Sequence, residues 1–124
     1  MKTAFLEIAP KPLNAREDSD QFASLYHLYS IVNTDLVASF IQGYPNFTGI
    51  LFETHRQIKR IFRENIVKVC LEYVRDPEED FEGLFVIIKT NLSPKESLDL
   101  LDRFNEEWFL DNVSDEIGSI FTVT

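Results

Sequence analysis

The stretch from Ser93 to Asn112 constrains the fold most strongly, because it carries a complete start signal for a helix. Ser93 can accept a hydrogen bond from a free amide of the first turn, and Pro94 needs no amide partner there. Glu96 can reach back to complete a capping box. The spacing of the apolar residues predicts an amphipathic helix laid across a sheet. Its predicted inner face holds Leu98, Leu101, Phe104 and Trp108.

Length and composition predict a single globular domain over residues 1–124. The chain has 44% hydrophobic residues and 11 Phe, and no run reaches the roughly 18 to 20 apolar residues of a membrane span. An acidic residue, Glu7, interrupts the first apolar run, so we expect no signal peptide. The single cysteine, Cys70, suits a reducing compartment. We therefore expect a cytoplasmic protein without membrane insertion.

Charge is distributed unevenly along the chain, although its sum is −9. Residues 1–48 hold 3 basic and 5 acidic side chains, residues 49–75 hold 6 and 3, and residues 76–124 hold 3 and 13. The successive net charges are therefore −2, +3 and −10. An acidic total argues against general nucleic-acid binding, in which Lys and Arg replace the counterions around phosphates. We expect a protein partner with a basic surface instead.

The N-terminal half is predicted to be mostly helical. Residues 1–20 are predicted to form a flexible or short-strand lead, with the strand alternative over Lys2–Ile8. In residues 22–40 apolar side chains recur about every 3.5 positions, which predicts one long helix or two short ones broken at residues 33–35. Gly43 ends this region, since glycine readily takes the left-handed cap conformation.

A further helix is predicted from about Thr48 to Arg63, and it completes the helical part, residues 21–63. Its outer face is basic, because cationic and imidazole side chains recur at i, i+1, i+4, i+5 and i+8. This basic stripe is either an ordinary solvated face or a binding surface. The stripe consists of His55, Arg56, Lys59, Arg60 and Arg63, and the inner face of Leu51, Thr54, Ile58, Ile61 and Phe62.

The C-terminal part, residues 65–124, is predicted to form a strand-strand-helix-strand unit. Asn65–Val74 and Leu84–Thr90 should pair as an antiparallel hairpin, and Ile120–Val123 supplies a third strand. A crossover that leaves room for the first strand gives a small antiparallel sheet ordered 2-1-3. The class is α+β, with helices packed on the sheet. One face of the first strand holds Val67, Val69, Leu71 and Tyr73.

The acidic loop of the hairpin, residues 76–82, is the first candidate for a metal site. The spacing of Asp76, Glu78 and Asp80 resembles a calcium loop, but Phe81 stands where such a loop needs glycine. A solvated loop is therefore favoured. A small metal-dependent hydrolase or nuclease remains an alternative, although a nuclease pair of Asp76 and Lys89 would lack the carboxylate expected two residues before the lysine.

No catalytic set is apparent elsewhere in the sequence. His27 and His55 are expected on helix surfaces or partly buried, and Cys70 is expected to be an inert strand thiol. The chain has 4 glycines and shows no glycine-rich phosphate loop and no Cys/His metal spacing. We therefore predict a non-enzymatic protein without a cofactor.

Large aromatic side chains lie beside carboxylates at the end of the Ser93 helix. Either Trp108 fills the core and Phe109 packs under the last loop, or Phe109 provides an exposed aromatic anchor of an interface. Phe109 is the better candidate anchor, because it lies off the predicted inner stripe. The predicted contact surface comprises Glu106, Glu107, Phe109 and Asp111, together with the loop from Asp76 to Glu82.

Several motifs between Leu71 and Asn112 resemble a group of short, acidic, largely cyanobacterial proteins of unassigned function. The resemblance covers about a third of the chain, and Phe109 stands where that group has a second Trp. It implies no catalytic residue. The matching features are Leu71-Glu72, the Asp76-Pro77-Glu78 turn, the strand Leu84-Phe85-Val86-Ile87-Ile88, the helix Leu101-Asp102-Arg103-Phe104-Asn105-Glu106-Glu107-Trp108, and Leu110-Asp111.

The missing catalytic set and the acidic C-terminal half predict a protein-binding module. The resemblance implies that it would be the acidic, antitoxin- or immunity-like partner in a two-protein bacterial system. An acidic half would attract a basic partner and accelerate its encounter. A further alternative is a structural homodimer in which the basic stripe meets the acidic half of a second copy.

Overall fold

A computed structural model describes residues 23–124, which form a four-stranded mixed sheet with helices packed against it. The predicted α+β class is confirmed. The lead over residues 1–20, with its possible strand, lies outside the described residues. The main elements are β1 (Ser30–Val32), α1 (Thr34–Gln42), α2 (Phe47–Phe62), β2 (Ile66–Asp76), β3 (Phe81–Thr90), α3 (Pro94–Phe104) and β4 (Phe121–Val123). Shorter segments are a 3-10 turn (Arg63–Asn65), a π turn (Asn105–Phe109), α4 (Leu110–Asn112) and α5 (Asp115–Gly118).

The order of the strands in the sheet is β1-β2-β3-β4. β2 and β3 form the predicted antiparallel hairpin, with Leu71 opposite Val86. β1 lies parallel to β2, and β4 lies parallel to β3 with Phe121 opposite Leu84. The predicted antiparallel order 2-1-3 is therefore wrong. After β3, the chain crosses through α3 and returns as β4 directly beside β3. β1 occupies the edge of β2 where the prediction placed the last strand.

The region predicted as one or two helices over residues 22–40 contains the strand β1. Residues 23–25 are helical, Ser30–Val32 pairs with residues 70–72, and α1 begins only after Asn33, whose φ is 57°. The break near residue 33 agrees with the two-helix alternative, but the residues before it are extended. Tertiary pairing overrides the local helical spacing here, since three residues are too few to show strand alternation.

The helices and one face of the sheet enclose a single hydrophobic core. The predicted inner face of α2 is confirmed, because all five of its residues are buried. Phe47 of α2 lies edge-on to Phe121 of β4, with ring centroids 5.2 Å apart. The hydroxyl of Tyr29 donates to the carbonyl of Leu51 at 2.7 Å, which ties the segment before β1 to α2.

Two apolar residues, one grouped with Leu71 on a strand face and one predicted on the inner face of α3, point to solvent. Val67 is 66% exposed, because the β2–β3 register shifts between Ile66 and Lys68, and this irregularity turns Ile66 to the core instead. Leu98 of α3 is 56% exposed, and Leu100 packs against the core in its place.

The start of α3 is the predicted capping box. The Ser93 Oγ accepts from the Glu96 amide at 3.2 Å, the Glu96 Oε1 accepts from the Ser93 amide at 3.3 Å, and Pro94 occupies the first turn. These contacts satisfy amides that a helix start otherwise leaves open.

The end of α3 departs from a regular helix at the π turn Asn105–Phe109, where the Leu110 amide donates to the Asn105 carbonyl five residues back. The extra residue in this turn rotates the later helical positions about the helix axis. Trp108 and Phe109 therefore both pack on the core. Their ring centroids lie 5.6 Å from Phe104 and 5.8 Å from Phe121, respectively.

Candidate functional site

The hairpin loop presents an ordered group of carboxylates. The Asp76 Oδ1 accepts from the amides of Glu78 and Glu79 at 3.1 and 3.4 Å, and Asp80 takes a φ of 51°. The side chains of Glu78, Glu79 and Asp80 are exposed. The loop backbone is thus fixed by Asp76, while the remaining carboxylates face solvent.

The C-terminal segment lies at the same end of the sheet as this loop. The Leu84 amide donates to the Ile120 carbonyl at 2.9 Å, only three residues after β3 begins at Phe81. Phe109 reaches this end through its contact with Phe121. We call this region the acidic end. Its acidic residues are Asp76, Glu78, Glu79, Asp80 and Glu82 of the hairpin, and Asp115 and Glu116, which shortly precede Ile120. Glu106, Glu107 and Asp111 lie at the end of α3, where Glu107 contacts Arg60 near the end of α2.

Glu107 is held by two arginines of the same chain. Its Oε1 lies 3.1 Å from Arg60 Nη1 of α2, and its Oε2 lies 2.5 Å from Arg103 Nε. Hydrogen bonds from Arg103 and Arg60 lower the pKa of the Glu107 carboxyl below its usual range. Arg60 and Glu107 were predicted to lie on separate surfaces, whereas the structure pairs them. Arg103 could have been found from its i,i+4 spacing, but the contact across 47 residues to Arg60 has no local signal.

The basic stripe on α2 is shorter than predicted, because His55 is only 9% exposed. The imidazole meets the Tyr29 ring edge-on at 5.2 Å. Burial and the nearby positive charge of Lys59 lower the pKa of His55. Arg56, Lys59, Arg60 and Arg63 are exposed, with Arg56 paired to Glu53 at 3.0 Å.

Phe109 is half-buried, and its ring packs against Phe104 and Phe121. This arrangement agrees with the interpretation of Phe109 as a packing residue. The helical spacing that set it apart does not extend through the π turn. Glu106 and Asp111, on either side, are exposed.

Two acidic residues of this end, Asp115 and Glu116, were not singled out from the sequence. Both are exposed in the short helix α5, where the Ser114 Oγ accepts from the Ile117 amide at 3.3 Å. A Ser followed by two acids and a later Gly is a helix-start pattern. It could have been found in the sequence.

The residues considered for metal-dependent chemistry do not converge. Asp76 lies opposite Phe81 at the loop, whereas Lys89 lies opposite Lys68 towards the other end of the hairpin. Within residues 23–124, no group of three or more His, Cys, Asp or Glu side chains is arranged to hold a metal ion. Cys70 is buried, as expected for a strand thiol.

Comparison of the chain with protein-family models, with curated proteins and with solved structures gave no match. None of the helices in the described part of the chain has both the length and the apolar character needed to cross a membrane.

Proposed function

We propose that this protein is a non-enzymatic binding module whose acidic end docks a basic protein partner, as the acidic member of a two-protein system. The observation that carries the proposal is the convergence of the hairpin loop with the C-terminal segment at one end of the sheet. Carboxylates that are up to 40 residues apart in sequence, from Asp76 to Glu116, are thereby placed on one region of the surface.

Electrostatics support a docking role for this region. A concentration of one sign of charge raises the local potential, steers an oppositely charged protein and increases its association rate. The loop carboxylates Glu78 and Glu79 project from a backbone held by Asp76. Less conformational entropy is lost when an ordered loop binds than when a flexible one does.

The carboxylates at the end of α3 differ in their contacts within the chain. Glu107 is occupied by Arg60 and Arg103, so its replacement would disturb an internal network as well as any interface. Glu106 and Asp111 are exposed, and among the described residues neither takes part in an ion pair. We therefore assign direct contact to these two and to the loop, and a positioning role to Glu107.

The test is a tagged pull-down from native cell extract at low salt, with mass spectrometry of the retained proteins. We expect one basic protein in stoichiometric amount, released as salt is raised because screening weakens exposed charge contacts. Its affinity is then measured for the wild type and for Glu79→Lys.

A matched control is Glu64→Lys, which makes the same charge change in the exposed 3-10 turn before β2. β2 begins opposite the end of β3, so Glu64 lies at the end of the sheet away from the hairpin loop. Loss of affinity in Glu79→Lys alone would support the acidic end as the docking surface. Equal affinity in both variants, or no retained basic protein, would refute the proposal.

A further inference from the structure

The sheet has a second face that the described helices leave uncovered. Strand alternation places the core residues Leu71, Leu84, Val86 and Phe121 on one face and their neighbours on the other. We call the latter the outer face. Its apolar residues are Val32, Cys70, Val74, Phe81, Phe85 and Ile87.

None of these outer-face residues belongs to the core cluster that the helices enclose. Val32 is exposed, Cys70 is buried, and the other four are half-buried. The rings of Phe81 and Phe85 lie 5.8 Å apart, and the Phe81 ring covers Gly83 between them. One carboxylate, Glu72, lies opposite Phe85 on this face and is half-buried. A sheet with apolar residues on both faces is typical of one that is covered on both. The outer face therefore has the composition of a contact surface.

The two ends of the outer face carry opposite charges. Lys68 lies directly opposite Lys89 on the neighbouring strand, and both are exposed. Like charges directly opposite each other destabilise a sheet, and within residues 23–124 neither lysine has an acidic partner. At the opposite end, the same face terminates in Asp76 and the acidic hairpin loop. The face is thus basic at one end, largely apolar in the middle and acidic at the other end.

We propose that the outer face packs against the outer face of a second copy, with the strands of the two sheets antiparallel. A two-fold axis perpendicular to the strands places Lys68 and Lys89 of each copy over the acidic loop of the other. A two-fold axis along the strands would instead superimpose lysine on lysine and carboxylate on carboxylate. The lysines and the acidic loop therefore favour the first arrangement, which is isologous and closed and brings the two Glu72 side chains close to the axis.

The size of the face predicts a weak dimer. With 10 residues in β3, about 3.3 Å per residue and about 4.8 Å between strands, the two long strands and their short neighbours offer roughly 400 Å² per copy. A total of roughly 800 Å² lies below the roughly 1,000 Å² of a stable specific interface and in the range of weak encounters. We expect association at micromolar concentrations or above, weakened by salt.

Sedimentation equilibrium of the full chain, from micromolar to millimolar concentration, tests the assembly. The wild type should form a dimer in a concentration-dependent manner, and Lys68→Glu combined with Lys89→Glu should weaken it by about tenfold or more because both charge contacts are reversed. Lys95→Glu, an exposed lysine on α3 away from the outer face, is the control and should leave the dimer unchanged. Both proposals use the acidic hairpin loop, but the lysine variants leave the loop unchanged, so the two proposals can fail separately.

Cross-linking tests the orientation. In a Cys70→Ser background, Lys89→Cys and Glu79→Cys proteins are mixed and treated with a bis-maleimide of about 10 Å, the usual spacing of packed sheets. The antiparallel arrangement predicts links between positions 89 and 79 and none between two copies of position 89. A dominant link between two copies of position 89 would overturn the orientation.

A protein that stays monomeric at every concentration would overturn the proposal. The reaction of an Ile87→Cys variant with maleimide, in the same Cys70→Ser background, would then show whether another part of the chain covers the outer face. Resistance of this thiol to maleimide in the native protein would indicate that residues 1–22 cover the face. Rapid labelling would indicate a face open to a different molecule.

Discussion

Replacement of Gly83 by alanine should destabilise the fold, because β4 passes directly over this position. A Cβ at Gly83 would lie 2.3 Å from the Ile120 carbonyl oxygen and 2.8 Å from a ring carbon of Phe81. Ordinary contact begins at 3.4 Å, so the carbonyl would have to move by 1.1 Å (3.4 − 2.3). The φ of Gly83 is not positive, so the backbone itself admits alanine and the cost arises from the contacts of the new Cβ.

The magnitude has two contributions. Overpacking of this kind costs about 1–3 kcal/mol. Displacing Ile120 also weakens the hydrogen bond of 2.9 Å that its carbonyl accepts from the Leu84 amide, which contributes about 1 kcal/mol. We expect a loss of about 2–4 kcal/mol in the free energy of unfolding. For a chain of this length the melting temperature should fall by roughly 10 °C.

Urea unfolding followed by far-UV circular dichroism and by the fluorescence of Trp108 measures this change. Gly49→Ala is the matched control, since no heavy atom lies within 4 Å of a Cβ there and the residue is in α2. That substitution should stabilise the protein by about 0.5–1 kcal/mol. A Gly83→Ala protein as stable as the wild type would refute the close approach of β4 to β3 at this position.

Two further predictions concern the cap of α3 and the buried histidine. Ser93→Ala should lower the free energy of unfolding, measured in urea, by about 1 kcal/mol, because it removes the side chain that accepts the Glu96 amide. Ser93→Asp should retain most of the stability, since aspartate can also accept this hydrogen bond. Equal losses of stability in both variants would contradict the prediction. Since burial holds the pKa of His55 below its ordinary value of 6.5, the unfolded chain binds the proton more readily, and the free energy of unfolding should decrease as the pH falls below about 6.5. His55→Phe, which can keep the edge-on contact with Tyr29, should make the urea midpoints at about pH 7.5 and about pH 5.5 more alike; an unchanged pH dependence would show that His55 does not cause it.

Local signals in the sequence were sufficient for α2, α3 and the hairpin. The Ser93 cap is a contact between residues three apart, and α2 is longer than four helical turns, so both leave clear patterns. The hairpin likewise depends on neighbouring segments. These features rest on interactions within one element or between adjacent ones, which spacing and residue type describe well.

Features that depend on distant parts of the chain were missed. β1 exists because Ile31 pairs with Leu71, and nothing within residues 30–32 shows this. The predicted sheet order therefore placed the last strand at the wrong edge. The Arg60–Glu107 contact likewise joins two helices across 47 residues. For the candidate site, the sequence showed that residues 76–124 are rich in carboxylates. Only the pairing of β4 with β3 brings the hairpin loop and the segment before β4 to the same end of the sheet.

The π turn at Asn105–Phe109 has a consequence for how related chains should be aligned. A single-residue gap in an alignment is usually assigned to a loop, where insertions are tolerated. Here one additional residue lies inside a helix and allows two adjacent rings, Trp108 and Phe109, to pack on the core together. A homologue without that residue would have its later helical positions turned by about 100°. Two homologues that differ by this one-residue gap would therefore present different surfaces at this end of the sheet, even if the rest of their sequences were nearly the same.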